Sequence, residues 1–229
     1  MPNQTALIKT TLASSLMIVL CGFAPAYGQT APPSGTVAIR SISYQGNGCP
    51  MGTVAPHISD DSRAFTLLFS SFTADSQSNS AHGGGSSTQM SDSKNCVINM
   101  SLDYPRGWSF SVIGVDVRGY ARLDAGSTGT QTLIFRSGLL GLNRQFNTIR
   151  LSGPFDDDYL KSSQFNLPQP DWAPCGVFGI GHRLIVRSQI SATSHPNAVA
   201  LLTVDSIDGE VHQKYGLAWR TCTPPRIFR

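Results

Sequence analysis

Residues 108–123 read WSFSVIGVDVRGYARL, and this stretch decides the fold class. In its first part, Phe110 and Val112 alternate with serines, which predicts a β-strand with one face buried. Beyond Gly114 the apolar positions continue at Val115, out of phase with the first set. A β-bulge explains the change, because one extra residue in a strand reverses the alternation of the side chains that follow it.

Similar short apolar segments recur along the chain, and no segment shows helical spacing over three turns. We therefore expect an all-β, antiparallel β-sandwich (jelly-roll-like) of about nine strands. The predicted strands lie at residues 37–44, 64–73, 96–103, 108–117, 131–136, 145–151, 183–190, 199–205 and 215–221.

The first 28 residues have the features of a secretory signal peptide. Lys9 precedes an apolar run from Leu12 to Phe23, and small residues at Ala26 and Gly28 place the cleavage before position 29. The remaining organisation is a flexible linker at 29–35, a single β-sandwich domain at 36–224 and a tail at 225–229. Within the domain, residues 74–95 are rich in Ser, Gly, Asn and Gln, which predicts a mobile loop.

The charge balance excludes some partners. The chain has 17 Lys and Arg against 14 Asp and Glu, a formal net charge of +3, and no run of basic residues. We expect no nucleic-acid binding, because that needs a basic patch. No apolar stretch is long enough to span a bilayer, so we expect a secreted, extracellular protein, with the periplasm or the cell surface as alternatives.

Four cysteines follow the signal peptide: Cys49, Cys96, Cys175 and Cys222. An even number of cysteines in an exported chain indicates disulfides rather than a metal site or a reactive thiol. Four cysteines allow three connectivities. We favour Cys49–Cys96 with Cys175–Cys222, because each pair then brackets one half of the chain.

Several motifs together resemble a known family. They are Gly48-Cys49-Pro50-Met51-Gly52-Thr53-Val54, Pro105-Arg106-Gly107-Trp108-Ser109, Arg118-Gly119-Tyr120, Pro174-Cys175-Gly176 and Leu217-Ala218-Trp219-Arg220-Thr221-Cys222. From Ser41 to Cys222 the chain is similar to domain of unknown function family 4360, small secreted proteins of bacteria and fungi. The resemblance implies export and a single domain, and it supplies no catalytic residues. A longer Gly/Ser loop around Gly84 departs from the family pattern.

The motifs of common hydrolases and zinc enzymes are not found in the sequence. There is no Gly-x-Ser-x-Gly, no His-x-x-x-His and no His-Glu-x-x-His, and the five histidines are scattered. A glycosidase needs two carboxylates across a cleft, and the chain has a single glutamate, Glu210. The sequence therefore favours a non-enzymatic role and gives no catalytic residues and no cofactor other than calcium.

Asp156, Asp157 and Asp158 are the candidate calcium ligands. We expect them in a loop after a strand, where carboxylate oxygens suit this ion. Adjacent aspartates point in different directions, however, and the spaced Asp-x-Asp-x-Asp-Gly loop is absent. A solvated acidic turn is the favoured alternative.

The candidate binding residues are Trp172, Tyr120 and Arg118. Trp172 lies between prolines in a predicted loop, where it either contacts a glycan or covers the edge of the sandwich beside Cys175. Arg118 suits an acidic ligand, but cross-strand pairing with Asp116 or Asp124 is the favoured alternative.

These observations predict a secreted, non-enzymatic binding or structural protein of the cell envelope or extracellular matrix, with a cell-surface or matrix glycan as the expected partner. One alternative is a secreted hydrolase or lyase acting on polysaccharide. The other is a secreted effector or inhibitor that binds a protein.

Overall fold

The computed structural model describes residues 31–77, 89–137, 144–165, 172–175, 182–204 and 212–222. The predicted signal peptide, the centre of the predicted loop (78–88) and the predicted tail lie outside the described residues. The described chain contains twelve strands. They are β1 (Ala38–Gln45), β2 (Val54–Ile58), β3 (Ala64–Phe69), β4 (Thr73–Asp75), β5 (Met90–Asp103), β6 (Trp108–Leu123), β7 (Thr128–Ser137), β8 (Arg144–Ser152), β9 (Phe155–Gln164), β10 (His182–Ser194), β11 (Ala200–Thr203) and β12 (His212–Thr221).

The strands form two antiparallel sheets, which confirms the predicted sandwich. The five-stranded sheet has the order β1-β5-β10-β7-β8. In the seven-stranded sheet the order is β2-β3-β12-β6-β11-β4, and β9 pairs separately with β6. Since β12 pairs with residues 108–117 of β6, β11 with 120–123 and β9 with 114–123, β12 and β11 share one edge of β6 and β9 lies along the other.

The facing surfaces of the two sheets form one core. Its largest buried side chains include Phe65, Phe72 and Phe110. Phe65 and Tyr215 stack at 4.6 Å between ring centroids. The Tyr215 hydroxyl donates to Gln213 Oε1 (2.8 Å), and Gln213 Nε2 donates to Ser188 Oγ of the opposite sheet (2.9 Å). These two hydrogen bonds link the two sheets. They also satisfy polar atoms that are buried in the core.

The bulge predicted in β6 is confirmed. Gly216 pairs with Gly114, but Leu217 pairs with Val112, so Ile113 is the extra residue. Because of this extra residue, the apolar side chains on both sides of Ile113 point into the core, although they do not follow a single alternating pattern in the sequence.

Three strands were missed from the sequence. The segment 64–73 was expected to be a single strand, but β3 ends at Phe69 and β4 begins at Thr73. The five-residue β2 contains Pro56 and forms the edge next to β3, where a proline is tolerated. The third is β9, in which only Tyr159 is buried, so the apolar alternation that signals a strand is absent.

The boundaries of the predicted mobile loop, 74–95, also need correction. Its first residues belong to β4, and its last residues, from Met90 onward, belong to β5. The side chain of Asp92 is buried, accepts a hydrogen bond from the backbone N–H of Asp75 (3.0 Å) and pairs with Lys94 (3.0 Å). This part of β5 also pairs with β10, from Met90 opposite Ser194 onward, so backbone pairing and polar contacts rather than apolar content extend the strand.

Both predicted disulfides are confirmed. Cys49 is bonded to Cys96 and Cys175 to Cys222, each with a sequence separation of 47. The first fixes the segment before β2 to β5, an interior strand of the five-stranded sheet. The second fixes residues 172–175 to the end of β12.

Candidate functional site

The outer face of the β6–β9 pair carries most of the polar side chains predicted to bind a ligand. Beyond the bulge, Val115, Val117 and Ala121 of β6 point into the core. The alternate residues are half-buried or exposed and lie on the outer face: Asp116, Arg118, Tyr120 and Arg122.

The register of β9 places its acidic residues beside these bases. Tyr120 pairs with Asp158, Arg122 with Asp156 and Arg118 with Leu160. Cross-strand neighbours on one face are close enough for long side chains to interact directly or along the diagonal. The pairing therefore builds a surface of alternating bases and acids, which we call the charge ladder (Arg118, Tyr120, Arg122, Asp156 and Asp158).

Two diagonal contacts fix the ladder. Arg118 Nη2 lies 3.5 Å from Asp158 Oδ2, and the Tyr120 hydroxyl donates a short hydrogen bond to Asp156 Oδ1. In both contacts the β6 residue reaches the acid two positions before its direct partner. Both diagonal contacts therefore run in the same direction along the β6–β9 pair.

Tyr120 is held in its neutral form by this arrangement. The hydrogen bond to the Asp156 carboxylate raises the pKa of the Tyr120 hydroxyl, with smaller contributions from burial and from the negative charge of Asp156, while Arg122 opposes the shift. At neutral pH the phenol keeps its proton and donates it to Asp156, so toward a ligand the site offers two guanidinium donors, two carboxylate acceptors and the phenol oxygen as an acceptor.

A depression of about 470 Å³ lies at the end of the ladder. Its lining includes Arg122, Asp124, Phe155 and Asp156, with Pro154 at the turn before β9. Asp124 Oδ2 accepts a hydrogen bond from the backbone N–H of Val199 (2.7 Å), which positions this carboxylate. Phe155 also packs against the core, so the depression has one rigid aromatic wall among charged groups.

Trp172 lies apart from Arg118 and Tyr120. The Ala173 N–H donates to the carbonyl of Phe110 (2.7 Å), which places Trp172 near the beginning of β6. Tyr120 is ten residues further along this strand, about 30 Å at the usual rise per residue. The guanidinium carbon of Arg220 lies 4.4 Å from the centre of the Trp172 ring, and Trp172 is half-buried. The structure thus brings together Arg118 and Tyr120 and leaves Trp172 at the other end of the same strand.

The three adjacent aspartates do not form the predicted loop. They lie in β9, where Asp156 and Asp158 face outward and Asp157, opposite Ala121, takes the other side. Asp157 Oδ1 accepts the N–H of Asp158 (2.7 Å). Among the described residues, no group of three or more His, Cys, Asp or Glu side chains is placed to hold a metal ion. The expectation of a loop was wrong because these acids alternate along an extended strand.

The cross-strand pairing predicted for Arg118 is present, but with a different acid. The acid is Asp158 of β9, not Asp116 or Asp124. The sequence of β9 does not predict a strand, so Asp156 and Asp158 are expected only as calcium ligands in a loop, and neither they nor Phe155 are expected beside Arg118 and Tyr120. The one sequence feature that indicates a strand here is Tyr159, a large aromatic residue among acids and bases, and it is the single buried position of β9.

Comparison with known proteins identifies the family. The profile of Domain of unknown function (DUF4360) matches residues 35–222, and the chain belongs to this family. An uncharacterized secreted protein of Arthroderma benhamiae is 37% identical over 198 residues, which cover 86% of this chain and 76% of that protein. This protein is secreted, as that relative is. In the described part of the chain, no helix has the length and apolar character needed to cross a membrane.

Two solved structures show weak likeness. A carbohydrate-binding module, TmCBM61 in complex with beta-1,4-galactotriose, is 7% identical with a TM-score of 0.23; the match covers 80% of this chain and 89% of that one. The cowpea mosaic virus top component is 11% identical with a TM-score of 0.24, covering 87% and 98%. At these scores neither structure indicates a ligand for this chain.

Proposed function

We propose that this secreted protein is a non-enzymatic binding protein that recognises neutral glycans at the charge ladder and the adjoining depression. The observation that carries the proposal is the side-by-side placement of the Arg118–Asp158 and Tyr120–Asp156 pairs on an open face of the sheet. The Arg118–Asp158 pair presents guanidinium N–H donors next to a carboxylate acceptor, whereas the phenol proton of Tyr120 is used within its own pair, which presents acceptor oxygens. A sugar hydroxyl both donates and accepts, so neighbouring hydroxyls match such pairs.

The charge pattern favours a neutral ligand over an anionic one. Arg118 is already paired with Asp158, and Arg122 pairs in register with Asp156, so bases and acids alternate on the outer face of this ribbon. An anionic polymer would meet carboxylates at every second position and gain little from the bases between them. A polyhydroxyl ligand meets no such repulsion.

Apolar surface next to the ladder supports the same class of ligand. Leu160, opposite Arg118, is 62% exposed, and Phe155 forms a wall of the depression. The carbon-bound hydrogens of a sugar ring can pack on these side chains while its hydroxyls reach the ladder. A binding site with a few convergent polar groups on apolar walls is the usual form of small-ligand sites.

The support is the sheet itself rather than a loop. Arg118 and Tyr120 are on β6, whose inner face is packed into the core, and Asp156 and Asp158 are on β9, which pairs with β6 and buries Tyr159. Little side-chain entropy is lost when such pre-positioned groups bind, because their own contacts already hold them. We include Trp172 as a further, separate contact for ligands that reach the opposite end of β6.

The experiment is co-sedimentation of the secreted chain with insoluble cellulose, chitin, β-glucan and peptidoglycan, with assay of the supernatant for released sugars. We expect retention on at least one neutral polysaccharide without sugar release. Released sugars would instead establish a hydrolase or lyase. Recovery of the whole protein in every supernatant would contradict glycan binding.

A further inference from the structure

A groove separate from the charge ladder lies on the same outer face, at the bulge of β6. It has a volume of about 460 Å³ and is lined by Ile113, Gly114, Asp116, Ser162, Phe165, Lys214 and their neighbours in β9 and β12. Two residues without side chains, Gly114 and Gly216, lie side by side in its floor as direct cross-strand partners.

The two glycines are there for different reasons. A Cβ atom at Gly114 would lie 2.8 Å from the carbonyl oxygen of Ser163, so the close approach of β9 requires glycine at that position. At Gly216 the nearest atom to an added Cβ would be Ile113 Cγ1, at 3.5 Å, an ordinary contact. Packing therefore does not require glycine at 216, and its effect is to keep the groove open.

The walls of the groove are apolar and its rim is polar. Ile113, the extra residue of the bulge, is 40% exposed. The Phe165 N–H donates to the carbonyl of Ile113 (2.9 Å), which fixes the end of β9 at the groove. Lys214, Asp116 and Ser162 pair in one row across β12, β6 and β9 and border the opposite side.

The groove and the ladder lie along one strand. From Gly114 it is four residues of β6 to Arg118, the near end of the ladder, and eight to Arg122, its far end, about 13 Å and 25 Å at the usual rise per residue. Asp116 and Lys214 again place opposite charges side by side, so the groove matches the ladder in favouring a neutral, polyhydroxyl ligand.

We propose that the groove is a second subsite and that the ligand is an extended glycan chain lying along β6, bound by internal segments rather than by its end. This inference rests on the proposed function. It adds that affinity depends on chain length, because only a long chain contacts the ladder and the groove together. Contacts of one chain at two subsites act intramolecularly once the first is made, which raises affinity without new chemistry.

The test uses soluble neutral oligosaccharides prepared from the polysaccharide that retains the protein, as disaccharide, tetrasaccharide and octasaccharide, with titration calorimetry as the readout. For the unmodified protein we expect the octasaccharide to bind at least about tenfold more tightly than the disaccharide. Gly216→Val fills the floor of the groove and should remove this gain while leaving the disaccharide affinity unchanged. Ser43→Val, which places the same side chain on the exposed face of β1 in the other sheet, is the control and should change neither.

The outcomes separate the two proposals. If Gly216→Val is folded by circular dichroism and keeps the full length dependence, the groove is not a subsite although the ladder remains one. Lys214→Ala, at the rim, tests the same point should Gly216→Val not fold. If no oligosaccharide of any length binds, both the subsite and the proposed function are wrong.

Discussion

Tyr159 of β9 lies directly over Gly119 of β6. A Cβ atom at position 119 would be 2.7 Å from the Tyr159 hydroxyl oxygen and would overlap the carbonyl oxygen of Thr203. The hydroxyl donates to that carbonyl at 3.0 Å and approaches Gln131 Oε1 at 3.3 Å. The glycine of the Arg118-Gly119-Tyr120 motif thus lets β9 pack against β6, and this packing brings the acids of β9 to the outer face beside Arg118 and Tyr120.

Gly119→Ala should therefore destabilise the protein. The added methyl group displaces the Tyr159 ring and its hydrogen bonds, and overpacking of this kind costs about 2–3 kcal/mol. For a domain of this size we expect a Tm lower by about 5–10 °C in calorimetry. Gly216→Ala is the control, because its methyl group meets only ordinary contacts, and its Tm should stay near that of the unmodified protein. Equal Tm values for the two variants would show that β9 does not depend on this close approach.

The two disulfides provide a matched pair. Each closes a loop with a sequence separation of 47, so the chain-entropy estimate gives each the same stabilisation, about 4 kcal/mol. We expect Cys49→Ser/Cys96→Ser and Cys175→Ser/Cys222→Ser to lower the free energy of unfolding in urea by similar amounts. Losses that differ by more than about 2 kcal/mol would mean that contacts local to one bridge dominate over loop closure.

Buried tyrosines make the fold sensitive to alkali. Burial raises the pKa of Tyr104 to about 12, and it also raises the pKa values of Tyr159 and Tyr215. A phenol whose pKa is higher in the folded state stabilises the fold fully below its unfolded pKa, about 10, and loses this contribution as the pH rises through the folded pKa. The free energy of unfolding should thus fall between about pH 10 and pH 12, with phenolate absorbance rising as the chain unfolds. Ionisation of every tyrosine near pH 10 in a still folded chain would contradict the burial of these side chains.

Substitution of Trp172 tests whether this residue contacts a ligand or covers the sheet. Ser109 and Ser111 occupy outer-face positions near the beginning of β6, yet both are buried, and Ser109 Oγ donates to the carbonyl of Ala173 at 2.5 Å. If Trp172 contacts the far end of an extended glycan, Trp172→Ala should weaken binding of long oligosaccharides about tenfold and leave short ones unchanged. A lower Tm with unchanged affinity at every length would make Trp172 a structural residue. Arg220→Ala, which removes the group stacked on the ring, is the companion variant.

The core of the fold could be predicted from sequence because its strands are half-buried. The alternation in residues 108–117 predicts β6, and the change of phase at Gly114 predicts its bulge. The disulfide pairing was also correct. In each case a local pattern or a small number of alternatives determines the answer.

The candidate site could not be predicted from sequence because it depends on β9, a strand without the half-buried pattern. An edge strand such as β9 buries one side chain, Tyr159, so its sequence, FDDDYLKSSQ, lacks the apolar alternation of a half-buried strand. The partner of Arg118 depends on the register between β6 and β9, which packing of Tyr159 on Gly119 sets. The family motifs are explained largely by such structural needs. Gly48 packs against the Phe72 ring, and Trp219 Nε1 donates to the carbonyl of Ser62 at 2.6 Å.

The most direct test of glycan binding at the charge ladder is the affinity of Asp156→Asn/Asp158→Asn for the retained polysaccharide, measured by depletion from solution. These changes remove both acceptor charges and keep the shape of the side chains. The control is Asp103→Asn, which breaks the exposed Arg40–Asp103 pair (3.6 Å) on the other sheet. We predict that the double variant binds about 10–100-fold more weakly, as expected for lost hydrogen bonds to charged groups, and that the control binds normally. Unchanged affinity of the folded double variant would contradict the assignment of the ladder as the binding site.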